Sequence, residues 1–205
     1  MSQLDLFAAD QSNEFEKLFL DSDHFIEKYH QVDRFKLDQP DFAALWREHP
    51  DDFHEVVIHG KRVPTPRWQQ AYGKNYEYTG SRNNALPIHA GHQKYLQWCQ
   101  ENIHPELNSL LINWYDGSSK HYIGRHRDST KGLVPGTPIV TISHGETRIF
   151  RFRPFRGEGF LDFPVVNGDV LIIPWDTNKH FTHEVPHFTK YTGRRISVTL
   201  RAYGS

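Results

Sequence analysis

Arg194-Arg195-Ile196-Ser197-Val198-Thr199-Leu200-Arg201 is the stretch whose reading decides the fold. Side chains of an extended strand alternate between its two faces. Arg195, Ser197, Thr199 and Arg201 therefore share one face, and Ile196, Val198, Leu200 and Ala202 share the other. The apolar face has to pack between layers, and the polar face has to look into a cavity or into water. Upstream, Asn113 and Tyr115 share a face for the same reason, and so do His126 and Asp128. Three strands that each present a polar pair on one side make the lining of a polar pocket inside a β-sandwich.

Nine short apolar or alternating runs, broken by Gly, Pro and Asn-Gly, span residues 56–59, 110–115, 122–128, 138–143, 148–153, 160–165, 169–173, 180–185 and 195–203. Such spacing is that of a sandwich or jelly roll. Asn167-Gly168 between two runs predicts a hairpin. Asp21-Ser-Asp before His24–His30 predicts a capped short helix. Asp41–Glu48, between Pro40 and Pro50, predicts a second, and Ala90–Glu101, with Tyr95, Leu96, Trp98 and Cys99 as its stripe, a third. The expected fold is mainly β with flanking helices on one face.

The chain has 205 residues, enough for one domain with a real core. Its one cysteine, Cys99, excludes an internal disulfide or a cysteine-rich zinc site and fits a reducing compartment. Residues 1–12, without a basic start or long apolar run, predict a frayed terminus rather than a signal peptide. No stretch has membrane-spanning length. The expectation is a cytoplasmic protein, or a nuclear one in a eukaryote, with no membrane partner, and a monomer. Residues 1–60 hold 5 Lys/Arg against 14 Asp/Glu, and residues 61–205 hold 19 against 11. The basic part fits a phosphate-bearing partner; equally, the two parts attract each other in the fold.

The polar pairs have a chemistry. His126-Arg-Asp128 and a distant His183 supply two imidazoles and one carboxylate, the facial triad that leaves three positions of a non-haem Fe(II) open. A lone His-x-Asp is weak among 14 histidines; the order of the whole set, with Arg195 and Arg201 following on one strand face, gives it weight. Arginine presents a planar, permanently charged fork to a carboxylate. Six residues of strand separate the two arginines by about 20 Å, so inward-leaning side chains can hold both ends of a small dianion.

The stretch from Asn113 to Tyr203 resembles the AlkB family of Fe(II)/2-oxoglutarate dioxygenases. The matching pieces are Asn113-Trp-Tyr115, Ile123-Gly-Arg-His126-Arg-Asp128, Pro138–Ser143, Gly145-Glu-Thr-Arg148, Gly168–Ile173, His183-Glu-Val-Pro186 and Arg194–Arg201. Upstream, Gly60-Lys61, Pro66-Arg67-Trp-Gln69, Tyr72-Gly73 and Tyr76-Glu-Tyr78-Thr-Gly80 match too. The resemblance covers about two-thirds of the chain in the family's order. It implies one dioxygenase domain over 13–205, with a double-stranded β-helix core over about 108–205 and a nucleotide-recognition lid over about 55–85. By position, His126, Asp128 and His183 would bind iron. Arg195, helped by Tyr115 and Ser197, would pair with the distal carboxylate of 2-oxoglutarate. Arg201 and Asn113 would sit at its metal-proximal end. Many relatives have asparagine at Ser197; a serine hydroxyl can still donate to a carboxylate.

The resemblance also implies a reaction. With Fe(II), 2-oxoglutarate and O2, an N-methyl group of a 1-methyladenine or 3-methylcytosine is hydroxylated and lost as formaldehyde, leaving succinate and CO2. A paired base must be flipped out to react. Tyr78 matches the aromatic that stacks on such a base opposite His126, and Tyr76 a base- or backbone-contacting position. Trp68, Tyr72, Tyr76 and Tyr78 among Lys61, Arg62 and Arg67 make an aromatic-basic segment suited to single-stranded nucleic acid; packing against the core is the alternative use for each aromatic. Two places depart from repair relatives. Thr130 stands where an acidic residue often meets the base's exocyclic amine, and His59 where duplex-probing relatives have an apolar wedge. Single-stranded or accessible alkylated nucleic acid is therefore the expected substrate. Substrate contacts are expected from Arg67, Tyr76, Tyr78 and Thr130. The same chemistry on a small molecule, a tRNA base or a protein side chain is the alternative. A binder without turnover is disfavoured by the complete triad and arginine pair. Arg148, Arg151, Arg153 and Arg156 are either a phosphate track or a solvated face paired with the acidic N-terminal segment.

Overall fold

The structure is a computed structural model and describes residues 15–78 and 80–204. The frayed terminus expected over 1–12 lies outside the described residues. The elements run β1 (Phe15–Phe19), β2 (Phe25–Tyr29), a 3-10 turn (Asp33–Phe35), α1 (Gln39–Trp46), β3 (Glu55–Ile58), β4 (Lys61–Pro64), β5 (Trp68–Tyr72), β6 (Tyr76–Tyr78) and β7 (Ser81–Asn83). They continue with α2 (Ala90–Asn102), β8 (Ser109–Asp116), β9 (Ile123–His126), β10 (Ile139–Gly145), β11 (Arg148–Pro154), β12 (Leu161–Val165), β13 (Val170–Ile173), α3 (Trp175–His180), β14 (Phe181–Val185) and β15 (Arg194–Arg201).

A seven-stranded sheet has the order β1-β2-β13-β10-β15-β8-β5, and a four-stranded sheet the order β12-β11-β14-β9. All named strand pairs are antiparallel. From β8 onward the chain passes repeatedly between the two sheets, which makes the eight C-terminal strands a jelly roll. All nine sequence runs are strands of these sheets or of the β3–β4 hairpin.

β15 shows why the layers form. Ile196, Val198 and Leu200 are fully buried and join Leu110, Ile112, Trp114, Val140 and Ile142 under α1 and α2, against Phe35, Trp46, Tyr95 and Trp98. Both expected helices on that face are present. Asp38 caps α1 by accepting the Asp41 N–H at 2.9 Å, and Trp114 donates its indole N–H to Leu45 O at 2.9 Å. A second core between the sheets, made by Ile26, Ile139, Phe150, Phe152, Leu171 and Phe181, closes one end of the sandwich. Burying each such side chain contributes about 1.5–3 kcal/mol. The open part of the sandwich is the polar cleft.

Two local expectations are corrected. His24–His30 is not a helix but contains β2, with Ile26 and Lys28 buried on alternate positions. Asp21 Oδ1 does accept the N–H groups of Asp23 and His24, at 2.9 and 2.7 Å, but it shapes the β1–β2 turn. The same side-chain acceptor serves a turn as well as a helix start. Buried Lys28 then pairs with Asp169 at 2.9 Å and fastens β2 to the sheet. Asn167-Gly168 is a tight turn but not a hairpin, because β12 pairs with β11 and β13 with β10 and β2. Gly168 has φ +90, and its N–H goes to Ser143 O at 2.8 Å, so a neighbouring strand holds the turn that crosses between sheets.

Segment 55–85 divides. β5 is the edge strand of the larger sheet, while β3–β4 and β6–β7 are separate two-stranded hairpins. His59 and Gly60 form the two-residue β3–β4 turn, both at positive φ. Among the described residues no helix is long and apolar enough to cross a membrane.

Candidate active site

A cleft lies between the sheets. It is lined by the polar face of β15 (Arg195, Ser197, Thr199, Arg201), by Asn113 and Tyr115 from β8, by His126, Asp128 and His183, and by Arg67 and Tyr76. Every expected metal and co-substrate residue lines this one cavity, those of β8 and β15 by strand alternation.

At one end, β9 and β14 pair His126 with His183, so both imidazoles leave the same face of the smaller sheet. Their ring centroids are 4.4 Å apart. Asp128 stands two residues past the end of β9, with Oδ1 3.8 Å from His126 Nε2. One ligand atom from each of the three lies within 4.8 Å of the others. His126 Nδ1 meets Gly124 O at 2.9 Å, which sets the proton there and leaves the Nε2 lone pair free for a metal. Arg201 donates to Asp128 Oδ2 from Nε at 3.1 Å and Nη2 at 2.7 Å, while Asp128 Oδ1 is buried with no partner.

Electrostatics puts this cluster in the charge state a cation needs. Burial alone would raise Asp128, but Arg201, His183 and His126 hold its carboxyl at about 2. Burial, reinforced by His126, pushes His183 down to about 3, and burial also lowers His126. Two neutral imidazoles, a carboxylate and a bare inward oxygen fit a divalent iron. Burial opposes the Arg201 charge, yet Asp128 and Tyr76 keep it above its usual value.

At the other end, Arg195 is fully buried. Its Nε donates to Ser143 Oγ at 3.0 Å, and its guanidinium lies 5.3 Å from the Tyr115 ring centroid. Nη1 and Nη2 have no partner, and burial pushes the group down to about 10. Two unpartnered guanidinium nitrogens on a residue that lines the cleft can accommodate a carboxylate. Ser197 sits opposite Ser143 across the β10–β15 ladder and opposite Asn113 across β15–β8.

The expected substrate residues are more dispersed. Arg67 is a buried strut, donating to Asn113 Oδ1 at 2.8 Å and Gln69 Oε1 at 3.1 Å. Tyr76 borders the cleft, with Arg201 4.8 Å from its ring centroid. Tyr78 stacks on Tyr76 at 6.4 Å and meets His126 edge-on at 6.1 Å. Thr130 does not line the cleft but an adjoining depression, with Tyr78, Arg127 and Lys179, that shares His126 and Asp128 with it. The basic run is largely neutralised: Arg148 is buried 3.2 Å from Glu146, Arg151 forks onto Asp162, and Arg153 meets Glu184 at 2.9 Å. These partners belong to the jelly roll, not to the acidic N-terminal segment.

Ser143 and Asn178 escaped the sequence reading. Ser143 was legible from alternation along β10; Asn178, on a short helix, carried no periodic signal. Among the described residues two further clusters, His24–Asp176–His180 and Glu48–His89–His92, lie outside the cleft. In the second, His89 Nδ1 accepts the Gly91 N–H at the start of α2, where the helix dipole disfavours a cation.

Residues 23–201 match the 2OG-Fe(II) oxygenase superfamily model. The chain belongs to that superfamily and, within it, to the AlkB family, whose chemistry uses Fe(II), 2-oxoglutarate and O2. It is 30% identical over 157 residues to the human DNA oxidative demethylase ALKBH2, covering 71% of this chain and 60% of that protein. To the rat alpha-ketoglutarate-dependent dioxygenase alkB homolog 3 it is 30% identical over 152 residues, 67% of this chain and 50% of the relative. A solved structure described as that of OsALKBH1 superposes with TM-score 0.55 at 15% identity, covering 92% of this chain and all of the other, and supports the fold.

Proposed function

We propose that this protein oxidatively demethylates N-alkylated bases of the 1-methyladenine and 3-methylcytosine type in single-stranded or otherwise accessible nucleic acid. The observation that carries the reading is the pairing, in one cleft, of the His126–Asp128–His183 cluster with the unpartnered guanidinium of Arg195. In this reading His126, Asp128 and His183 hold Fe(II). Arg195, with Tyr115 and Ser197, holds the distal carboxylate of 2-oxoglutarate; Asn113 and Arg201 face its metal-proximal end. When bound, Fe(II), 2-oxoglutarate and O2 supply the oxidation of an N-methyl C–H to N-CH2OH, with succinate and CO2 as co-products. The hydroxyl proton then leaves, the C–N bond breaks with its electron pair returning to the ring nitrogen, and formaldehyde departs from the unmodified base.

The chain's own residues set up the encounter. Arg201 keeps Asp128 ionised and leaves one oxygen free. Tyr76 and Tyr78 border the iron side with a flat aromatic pair that suits a splayed-out base. The β3–β4 and β6–β7 hairpins act as the lid, with Arg67 bracing its base and Thr130 reading the flipped base from the His126 side. His59, polar and at the tip of a tight turn, favours accessible strands over a wedge into duplex. The protein works as a monomer. Curated DNA demethylases among the relatives support the substrate class, and this chain spans 60% of the human one.

The same oxygenase chemistry on a substrate outside repair is favoured by Thr130, which offers a hydroxyl where repair relatives place an acid. One assay separates the readings: Fe(II), 2-oxoglutarate and 1-methyladenine or 3-methylcytosine oligonucleotides, single- and double-stranded, with formaldehyde and succinate followed together. Formaldehyde from the single strands is expected. Succinate without formaldehyde from any oligonucleotide overturns the demethylase reading and leaves the oxygenase.

A further inference from the structure

Asp128 lies beyond the last residue of β9, so no ladder holds its backbone. What holds it is a side chain. The amide of Asn178 takes the Asp128 N–H on Oδ1 at 3.0 Å and gives its Nδ2–H to the Asp128 carbonyl at 3.0 Å. This reciprocal pair is the hydrogen-bond pattern of a neighbouring strand, supplied by one residue. Asn178 is 2% exposed, so both bonds are shielded from water.

The residue sits on α3, which is itself tied at three places. Thr177 Oγ1 donates to Phe25 O of β2 at 2.7 Å, the Arg127 guanidinium donates to Lys179 O at 2.6 Å, and α3 continues directly into β14, which carries His183. The helix therefore joins the segment carrying Asp128, the strand carrying His183 and the N-terminal hairpin.

We propose that Asn178 is a positioning residue for the metal centre: its amide clamp fixes the backbone of Asp128, so that Oδ2 stays on Arg201 and Oδ1 stays turned toward the two imidazoles. The N-terminal β1–β2 hairpin supports the same geometry through Thr177. This inference rests on the reading of Asp128 as an iron ligand. A partner that orients a ligand in this way is typically worth about 10–100-fold in metal affinity.

The test is Mn(II) binding, read by calorimetry and by the electron paramagnetic resonance signal of free Mn(II), on wild type and Asn178→Ala, Asn178→Asp, Asn108→Ala and Asp128→Ala, with melting temperatures of the metal-free proteins. Asn108 is the control for losing such a pair away from Asp128, because its part-buried amide bonds the Tyr203 backbone in the same reciprocal way, at 2.8 and 3.0 Å. Asn178→Ala is expected to weaken Mn(II) binding by about 10–100-fold, while Asn108→Ala lowers the melting temperature and leaves affinity unchanged. Should Asn178→Ala fail to fold, Asn178→Asp keeps the shape and the bond to the Asp128 N–H but loses the donor to its carbonyl, and weaker Mn(II) binding is expected again. Wild-type affinity in a folded Asn178 variant, with Asp128→Ala impaired, overturns the positioning role. Wild-type affinity in Asp128→Ala overturns the ligand reading beneath it.

Discussion

The two buried arginines of β15 occupy one face of one strand, yet their surroundings differ. Arg201 is paired, with Nε and Nη2 both on Asp128 Oδ2. Arg195 spends Nε on Ser143 and keeps both Nη atoms free. Burying an unpaired guanidinium is costly, and a fold tolerates it where something else supplies the counter-charge. The comparison teaches that identical residue types on one face have separate duties. Arg201 is an internal counter-ion to Asp128, and in the proposed function Arg195 is the receptor for a carboxylate that arrives from outside.

The largest effect that would sharpen this contrast is on folding. Arg201→Met leaves the buried Asp128 carboxylate without its partner and is expected to destabilise the metal-free protein by about 3–5 kcal/mol in urea unfolding. Arg195→Met removes a charge whose terminal nitrogens have no partner, so the same experiment should show little loss. Equal losses would break the comparison.

Ligand binding should reverse the ranking. Truncating one partner of a buried, hydrogen-bonded charge pair costs about 2–5 kcal/mol. Arg195→Met is therefore expected to weaken 2-oxoglutarate binding to the Mn(II)-loaded protein by that amount, measured by calorimetry. Undiminished affinity would contradict the receptor role.

A smaller, graded effect is expected with pH. His183 is held at about 3 by burial, below the ordinary 6.5 of its unfolded form. The unfolded chain thus takes up a proton that the folded one refuses, so metal-free stability falls as pH drops from about 6.5 toward 3, by at most about 1.4 kcal/mol per pH unit from this residue. Asp128 opposes nothing in the upper part of that window, because its contribution is present above 3.8 and lost only toward about 2. His183→Gln should flatten the slope of the urea midpoint between pH 6.5 and 4; an unchanged slope would place the proton elsewhere.

Much of this was legible in the sequence because a strand with one buried face writes its period into the chain. Alternation alone assigned both faces of β15 and paired Asn113 with Tyr115. Where a residue's duty depends on a distant partner, the pattern is silent. Asp21 reads as a helix cap and shapes a turn; Asn167-Gly168 reads as a hairpin and crosses between sheets. β5, with Gln69 and Gln70 inside it, has no clean alternation because it is an edge strand. Asp128 shares a cleft with His126 through the Asn178 clamp rather than by strand period, and Asn178 lies 50 residues away in a helix of only six.

The most direct test of the account is succinate formation from 2-oxoglutarate with Fe(II) and O2, comparing wild type with His126→Ala. The account predicts turnover by the wild type and its loss in the variant, because one of three metal donors is gone while Arg195 is untouched. Undiminished succinate from His126→Ala would contradict the assignment of the metal centre.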